Sequence, residues 1–131
     1  MKDEEDTKMV IVMRTDLSMR KGKMMAQAAH AALAFLLNNN SSKKAAVLRT
    51  ELSKKEATWL FGSQTKIVVG VDSLGALDDI VFKAQVKGIE VNVITDAGRT
   101  EFHGVPTVTC AALGPGLIDE IDELTAHLKL L

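Results

Sequence analysis

Lys8-Met-Val-Ile-Val-Met-Arg14 is an unbroken run of β-branched and other apolar residues with a charged residue at each end. A run of this kind, with no Gly or Pro inside it, predicts a strand buried on both faces of a sheet. Two further runs of the same character follow at about 66–72 and 90–95, and a fourth covers 107–113. The sequence therefore predicts four strands.

Helical segments separate or follow these strands. The predicted helices cover about 20–38, 43–61, 74–87 and 117–127. The second stretch contains Ser53 and Glu56 at capping-box spacing, so we expect a break near Ser53. Gly114-Pro-Gly116 is expected to turn the chain from the fourth strand into the last helix.

The lengths of the connections predict the topology. Helical crossovers make the first three strands parallel, whereas the link of roughly ten residues before the fourth strand is too short for a helix and favours an antiparallel pair. We expect an α/β fold, a three-layer α/β/α domain with a four-stranded mixed sheet whose fourth strand is antiparallel. One domain at 9–131 would follow an acidic N-terminal tail at 1–8.

Composition narrows the class of protein. The 131 residues suit one compact domain, and the single cysteine excludes an internal disulfide and a zinc site built from thiols. No apolar run approaches the length of a membrane span, and the first eight residues are charged rather than apolar. These features favour a cytoplasmic protein with no membrane partner.

The charge is unevenly distributed. The whole chain has 16 Lys and Arg against 17 Asp and Glu, for a net charge of −1. Residues 14–55, however, hold nine basic and two acidic residues, a local charge of +7, while both ends of the chain are acidic. This stretch predicts either a phosphate-binding face or ordinary solvated lysines, and the charge pattern alone leaves both open.

The first helix carries a narrow polar stripe. Lys23, Gln27 and His30 are spaced by four and three residues, so Gln27 lies about 40° to one side of Lys23 and His30 about 20° to the other, and all three fall within about 60° around the helix. Most of the neighbouring residues are Ala or Met, which sets the stripe apart from a general solvent face. The alternative is that Lys23 and Gln27 form an exposed edge and His30 is a hydrogen-bonded residue of the partial core.

Asp96 is predicted to end the third strand, with Thr100 and Thr107 close behind it. Binding groups collect outside the carboxyl ends of parallel strands. A carboxylate there can polarise water as a general base, and a nearby lysine can stabilise an oxyanion. The alternative use of Asp96 is to cap the turn at Ala97-Gly98.

The sequence lacks the motifs of nucleotide-binding loops, serine hydrolases and metal sites. Lys21-Gly-Lys23 opens a helix but is followed by Met24, where a phosphate-binding loop needs Ser or Thr, and no Gly-x-Ser-x-Gly motif is present. His30, His103 and His127 have no metal-ligand spacing. Cys110 lies among apolar residues and is expected to be buried.

Several separated motifs, in order, resemble the type 2 peptidyl-tRNA hydrolases over about residues 9–131. They are Val10-Ile-Val-Met-Arg-Thr-Asp-Leu17, Lys21-Gly-Lys-Met-Met-Ala-Gln-Ala-Ala-His-Ala-Ala32, Thr95-Asp-Ala-Gly-Arg-Thr100, Thr107-Val108, Leu113-Gly-Pro115 and His127-Leu-Lys-Leu-Leu131, with Trp59 and Gly62 also in place. The resemblance implies a homodimeric enzyme without cofactor or metal that hydrolyses the ester between a peptide and the 3′ end of tRNA.

The resemblance also implies a set of site residues. The family's site matches Lys23, Gln27, Asp96, Thr100 and Thr107. We expect Asp96, oriented by Thr100, to activate water, Lys23 to face the oxyanion or the terminal phosphate, and Gln27 and Thr107 to position the ester. His30 is expected to contact these site residues rather than the substrate. The candidates for tRNA phosphate contacts are Arg14, Arg20, Lys21 and Arg99.

The sequence departs from the family pattern at three places. Glu101 stands where Gln is usual, Arg20 replaces a more common Gly, and the 101–106 loop is one residue short. Two alternatives are a catalytically inactive RNA- or protein-binding relative with the same fold, and a flavodoxin-like domain that binds a small nucleotide. The intact site set argues against the first, and the missing phosphate motifs argue against the second.

Overall fold

The computed structural model describes residues 6–131, which form five strands and four helices. In chain order they are β1 (Thr7–Arg14), α1 (Lys21–Asn38), α2 (Lys54–Leu60), β2 (Lys66–Val71), α3 (Leu74–Val86), β3 (Val91–Asp96), β4 (Thr107–Leu117), α4 (Ile118–Thr125) and β5 (Lys129–Leu130). β1 begins inside the segment predicted as an acidic tail, and residues 1–5 of that tail lie outside the described residues. None of the helices described is both long and apolar enough to cross a bilayer.

The strands form one mixed sheet in the order β3-β4-β1-β2-β5. β1 is parallel to β2 and antiparallel to β4, which confirms the predicted direction of the fourth strand. β3 is antiparallel to β4, so it runs in the same direction as β1. The prediction of four strands is wrong, because β5 adds a short antiparallel strand to the edge of β2. Two paired residues are too few to leave a periodic pattern in the sequence.

The fourth strand is longer than predicted. β4 continues through Gly114-Pro-Gly116, the segment expected to turn the chain. The register with β1 shifts by one residue here, so the proline lies at an irregularity of the ladder, where its missing N–H is tolerated. At Gly114, which has φ +104°, a Cβ would lie 2.6 Å from the carbonyl oxygen of Lys8, so the close approach of the two strands requires glycine.

The predicted helix over 43–61 is also shorter than expected. Residues 43–53 are not helical, and α2 starts only after Ser53. The side chain of Asn40 accepts from the amides of Ser42 and Arg49, so local side-chain bonds satisfy the loop backbone in place of a helix. The capping box of Ser53 and Glu56 is confirmed in both directions.

Alternate residues of β1 belong to two buried clusters. Val10 and Val12 join residues of α3 and α4 such as Leu77 and Ile121. Met9, Ile11 and Met13 join residues of α1 and α2, among them Ala31, Phe35 and Trp59. Because α1 packs beside β3 and β4, its polar stripe lies near the carboxyl end of β3.

We expect Phe35→Ala to lower the free energy of unfolding by about 3–5 kcal/mol, the usual cost of emptying a buried aromatic site. Phe35 is fully buried and meets the Trp59 ring edge to face, with centroids 5.7 Å apart. Urea denaturation followed by circular dichroism measures the change. Phe61→Ala is the matched control, because that side chain is 80% exposed and its removal should shift stability by under about 0.5 kcal/mol. Equal losses in the two variants would contradict this account of the core.

Candidate functional site

Two elements bring the central side chains together. Lys23 and Gln27 are one turn apart near the start of α1, and Asp96 is the last residue of β3. The small residues around the stripe, such as Ala28 and Ala31, let the helix lie close to the sheet. As a result, Lys23 and Gln27 reach the strand end at which the sequence predicts a site.

A continuous hydrogen-bond network joins four of the five predicted site residues. The Lys23 Nζ donates to Asp96 Oδ1 at 2.8 Å and to Thr100 Oγ1 at 2.9 Å. The Gln27 Nε2 donates to the same Asp96 Oδ1 at 3.2 Å. The second carboxylate oxygen, Oδ2, accepts from the Gly98 amide at 2.8 Å. Both oxygens of Asp96 are therefore held by donors.

The surroundings of Asp96 stabilise its charge. The hydrogen bond from Lys23 holds the pKa of Asp96 below its usual value of 3.8, with help from the Gly98 amide and Gln27 and against the opposing effect of burial. The side chains of Lys23 and Asp96 are only 14% and 15% exposed, so water screens the pair less than a surface salt bridge. The ammonium also lies 5.7 Å from the centre of the Phe102 ring. Asp96 is therefore an anion at any physiological pH.

The hydrogen bond between Lys23 and Thr100 has only one possible direction. An ammonium group only donates, so the Thr100 oxygen must accept from Lys23 and its own proton remains available for another acceptor. Thr100 is exposed at the loop surface. Its hydroxyl can therefore donate to a bound molecule, and both Thr100 and Asp96 are oriented through Lys23.

Thr107 lies next to Asp96 but outside the network. The two are register partners across β3 and β4, and the Thr107 hydroxyl donates to the Val105 carbonyl at 2.8 Å. Thr109, two residues along the strand, is fully buried and donates to Gln27 Oε1 at 2.6 Å. The sequence analysis missed Thr109, although residues two apart on a strand share a face and the Thr-Val-Thr pattern at 107–109 is a signal that would have found it.

The loop after β3 folds back on itself tightly. Gly98 has φ +83°, and a Cβ there would lie 2.3 Å from the carbonyl oxygen of Val105. The Gly98 carbonyl also accepts from the Gly104 amide at 2.8 Å. Asp96 thus does cap the turn at Ala97-Gly98, as the alternative reading expected, and it takes part in the network at the same time.

His30 does not reach this network. Its side chain is exposed, and it lines a groove of about 250 Å³ between α1 and β3 together with Leu33, Leu37 and Val93. The alternative placed Gln27 at an exposed edge and His30 in the partial core. The structure shows the reverse, since Gln27 is buried and His30 is exposed. The supporting role expected of His30 stays a prediction.

The four predicted phosphate contacts differ in availability. Arg14 is only 12% exposed, and its guanidinium bonds both Asp16 and the Val108 carbonyl. Arg20, Lys21 and Arg99 are exposed around the start of α1 and the loop after β3. Arg20 and Glu101, two of the positions expected to depart from the family pattern, lie 3.7 Å apart as an ion pair.

Cys110 is buried, as predicted, and burial raises the pKa of its thiol to about 11. The thiol therefore stays protonated and is a poor nucleophile at neutral pH. Among the described residues, Glu90, just before β3, also has a strongly shifted pKa, because burial and then the neighbouring Glu56 raise it to about 8. It lines a cavity of about 910 Å³ with Asn39 and Ser53, near the far end of α1 from Asp96.

The arrangement around Asp96 suits addition of water to a carbonyl carbon. An ionised carboxylate can hold a water molecule, and an ammonium and a hydroxyl beside it can donate to the oxygen that becomes negative. The exposed cations next to it add attraction for an anionic substrate.

Comparisons with known proteins agree with this chemistry. A family model described as peptidyl-tRNA hydrolase PTH2 matches residues 7–131. A peptidyl-tRNA hydrolase of Metallosphaera sedula is 45% identical over 124 residues, covering 95% of this chain and 99% of the relative. Proteins of the same name from Sulfurisphaera tokodaii and Methanocaldococcus jannaschii are 43% and 41% identical, each over 95% of this chain and over 98% and 99% of the relative.

With the match extending over nearly the whole described chain, and with Lys23, Gln27, Asp96 and Thr100 in one network, the chain belongs to the peptidyl-tRNA hydrolase PTH2 family.

Proposed function

We propose that this protein is a peptidyl-tRNA hydrolase that cleaves the ester between a peptide and the 3′ end of tRNA and so recycles tRNA. The observation that carries the proposal is the Lys23–Asp96 ion pair, held at the sheet edge with Thr100 and Gln27 in a chain of this family. The predicted alternative, a catalytically inactive relative, has no feature in its favour at this site.

Asp96 is proposed to hold and deprotonate the attacking water. Its Oδ2 accepts a single hydrogen bond, from the Gly98 amide, which leaves a lone pair for water. The water oxygen bonds to the ester carbon while Asp96 accepts its proton. The bond to the ribose oxygen then breaks, and this proton passes to that oxygen, giving a free peptide acid and a free tRNA end.

Lys23 and Thr100 are proposed to stabilise the oxyanion. Thr100 has a free proton to donate, and the ammonium of Lys23 places positive charge beside it. Gln27, which was expected to position the ester, is proposed to hold the carboxylate that it bonds. Thr107, the register partner of Asp96, is proposed to position the ester once its bond to Val105 is exchanged. No redox step is required, and hydrolysis of an ester is intrinsically easier than that of an amide, so positioning and electrostatics from these residues suffice in this mechanism.

Asp96→Asn should lower kcat about 10²–10⁴-fold, because an amide cannot accept the water proton. Release of tRNA from an N-acetylaminoacyl-tRNA, followed on acid gels under single-turnover conditions, measures the effect. Asp72→Asn is the control, because Asp72 is an exposed carboxylate just beyond β2, which β4 and β1 separate from β3, and it lies outside the network. Full activity of Asp96→Asn would overturn the mechanism, and an inactive native protein would overturn the function.

The pH profile follows from the sign of the pKa shift of Asp96. Activity requires the carboxylate, and its pKa lies below 3.8, so protonation of Asp96 should cost no activity between pH 8 and pH 5. A loss of kcat/KM with an apparent pKa near 6 that disappears in Asp96→Asn would contradict the assignment.

We propose that Arg20, Lys21 and Arg99 contact tRNA phosphates. Their exposure around the network supports this assignment. Arg14 remains a candidate, but its guanidinium must first exchange its bonds to Asp16 and Val108. With few aromatic residues to stack on bases, recognition should depend on phosphates and on the ester end rather than on tRNA sequence.

Arg99→Ala should weaken binding of deacylated tRNA and reduce the slope of log Kd against log salt by about one unit. Filter binding at several salt concentrations measures both quantities. Lys83→Ala on α3 removes the same charge at a residue paired with Asp79 and should leave the slope unchanged. Identical slopes for the native protein and Arg99→Ala would remove Arg99 from the contact surface.

We also propose that the protein is a homodimer. β3 is an edge strand, and Leu33 and Leu37 of α1 together with Val93 of β3 leave large apolar side chains exposed beside it. Burying such an edge and its apolar neighbours against a second copy would remove both from water.

Leu33→Glu should convert the dimer to a monomer, as measured by sedimentation equilibrium, because it places a charge in the apolar surface. Phe82→Glu is the matched control, since Phe82 is an exposed apolar residue of α3 and should leave the dimer intact. A native protein that is monomeric at tens of micromolar would contradict the proposal.

Three broader features belong to the same proposal. Residues of α3 and α4 belong to one buried cluster and residues of α1 and α2 to the other, and the two clusters contain alternate residues of β1. This division supports a three-layer α/β/α arrangement. The family match over 7–131 supports a single catalytic domain over about 9–131. A substrate formed during translation supports a cytoplasmic location.

A further inference from the structure

Thr109 is a buried polar residue that the proposed mechanism does not use. It lies near the start of β4, fully shielded from water, and its hydroxyl donates to Gln27 Oε1 at 2.6 Å. The Cys110 sulfur is the other nearby acceptor, at the much longer distance of 3.7 Å. A buried hydroxyl is costly unless it is bonded, so the short bond to Gln27 is the one that accounts for a threonine here.

The amide of Gln27 has two different ends, and each faces a different partner. Asp96 is an anion, so it requires the donating Nε2 end of the amide. The accepting Oε1 end is then directed into the core, where Thr109 supplies the donor. Gln27 is itself only 2% exposed, so water is not available to replace Thr109.

We propose that Thr109 is a positioning residue for hydrolysis, which through its bond to Gln27 Oε1 holds the Gln27 amide against Asp96 and keeps the carboxylate aligned for water. The inference rests on the proposed function. Without the hydroxyl, the buried Oε1 would be unsatisfied, and the amide would relax toward another partner and leave Asp96 Oδ1 with Lys23 alone. The carboxylate would stay charged but less well oriented.

Thr109→Val tests the role, because it removes the hydroxyl and keeps the branched shape. We expect kcat for N-acetylaminoacyl-tRNA to fall about 10-fold, the loss that corresponds to one buried hydrogen bond, with KM unchanged. Thr109→Ser restores the hydroxyl and should recover most of kcat. In a Gln27→Ala background, Thr109→Val should lower kcat no further, because its effect passes through Gln27.

Thr125→Val is the matched structural control. Thr125 is another buried threonine, and its hydroxyl bonds the Ile121 carbonyl within α4, away from Asp96. This variant should lose stability to a similar extent and keep its kcat. If Thr109→Val fails to fold, Thr109→Cys retains a weak donor of similar size and should show a smaller fall in kcat without a change in KM.

Three results would overturn the proposal. The first is a kcat equal to that of the native protein in Thr109→Val or, where that variant does not fold, in Thr109→Cys. The second is a Thr109→Ser variant that is as slow as Thr109→Val. The third is that Thr109→Val and Gln27→Ala lower kcat independently of each other. Each of these outcomes presupposes an active native protein. An inactive native protein would instead refute the proposed function, so the two failures are distinguishable.

Discussion

The structure depends on β1 being paired on both edges and buried on both faces. It bonds β2 on one side and β4 on the other, and its alternating side chains belong to two separate clusters. Through β4 it also determines where β3 ends, since the β3–β4 register places Asp96 beside Thr107. With α1 packed near β3 and β4, the start of that helix meets the end of β3, and this meeting point is the candidate site.

The electrostatics of that meeting point limit the chemistry. A partly buried carboxylate needs donors, and Lys23, Gln27 and the Gly98 amide supply them. The same donors lower the pKa of Asp96, so it is permanently ionised and is also a weak base. Such a group suits an ester, whose carbonyl is reactive enough for water that is well oriented. In the proposed mechanism, accurate placement of the carboxylate matters more than its proton affinity, so Thr109 is proposed to influence the rate through its bond to Gln27.

The balanced net charge conceals a local excess of positive charge around the residues proposed to contact tRNA. Arg20 and Lys21 at the start of α1 and Arg99 in the loop after β3 are exposed close to the network. The ion pair of Arg20 with Glu101 moderates this field, because Glu101 adds a negative charge 3.7 Å from the Arg20 guanidinium. The charges of Arg20 and Glu101 thus compensate each other.

The sequence by itself determined the features that depend on residues close together in the chain, namely the strands, the helix start and the helix face. The apolar runs predicted β1 to β4, Ser53 and Glu56 predicted the start of α2, and the spacing of Lys23 and Gln27 placed both on one face. Only the tertiary structure decided the features made by distant pairing. These are the extension of β4 opposite Lys8, the addition of β5 and the burial of Thr109 against Gln27. Their stability comes from partners far along the chain, and periodicity within one segment carries no information about such partners.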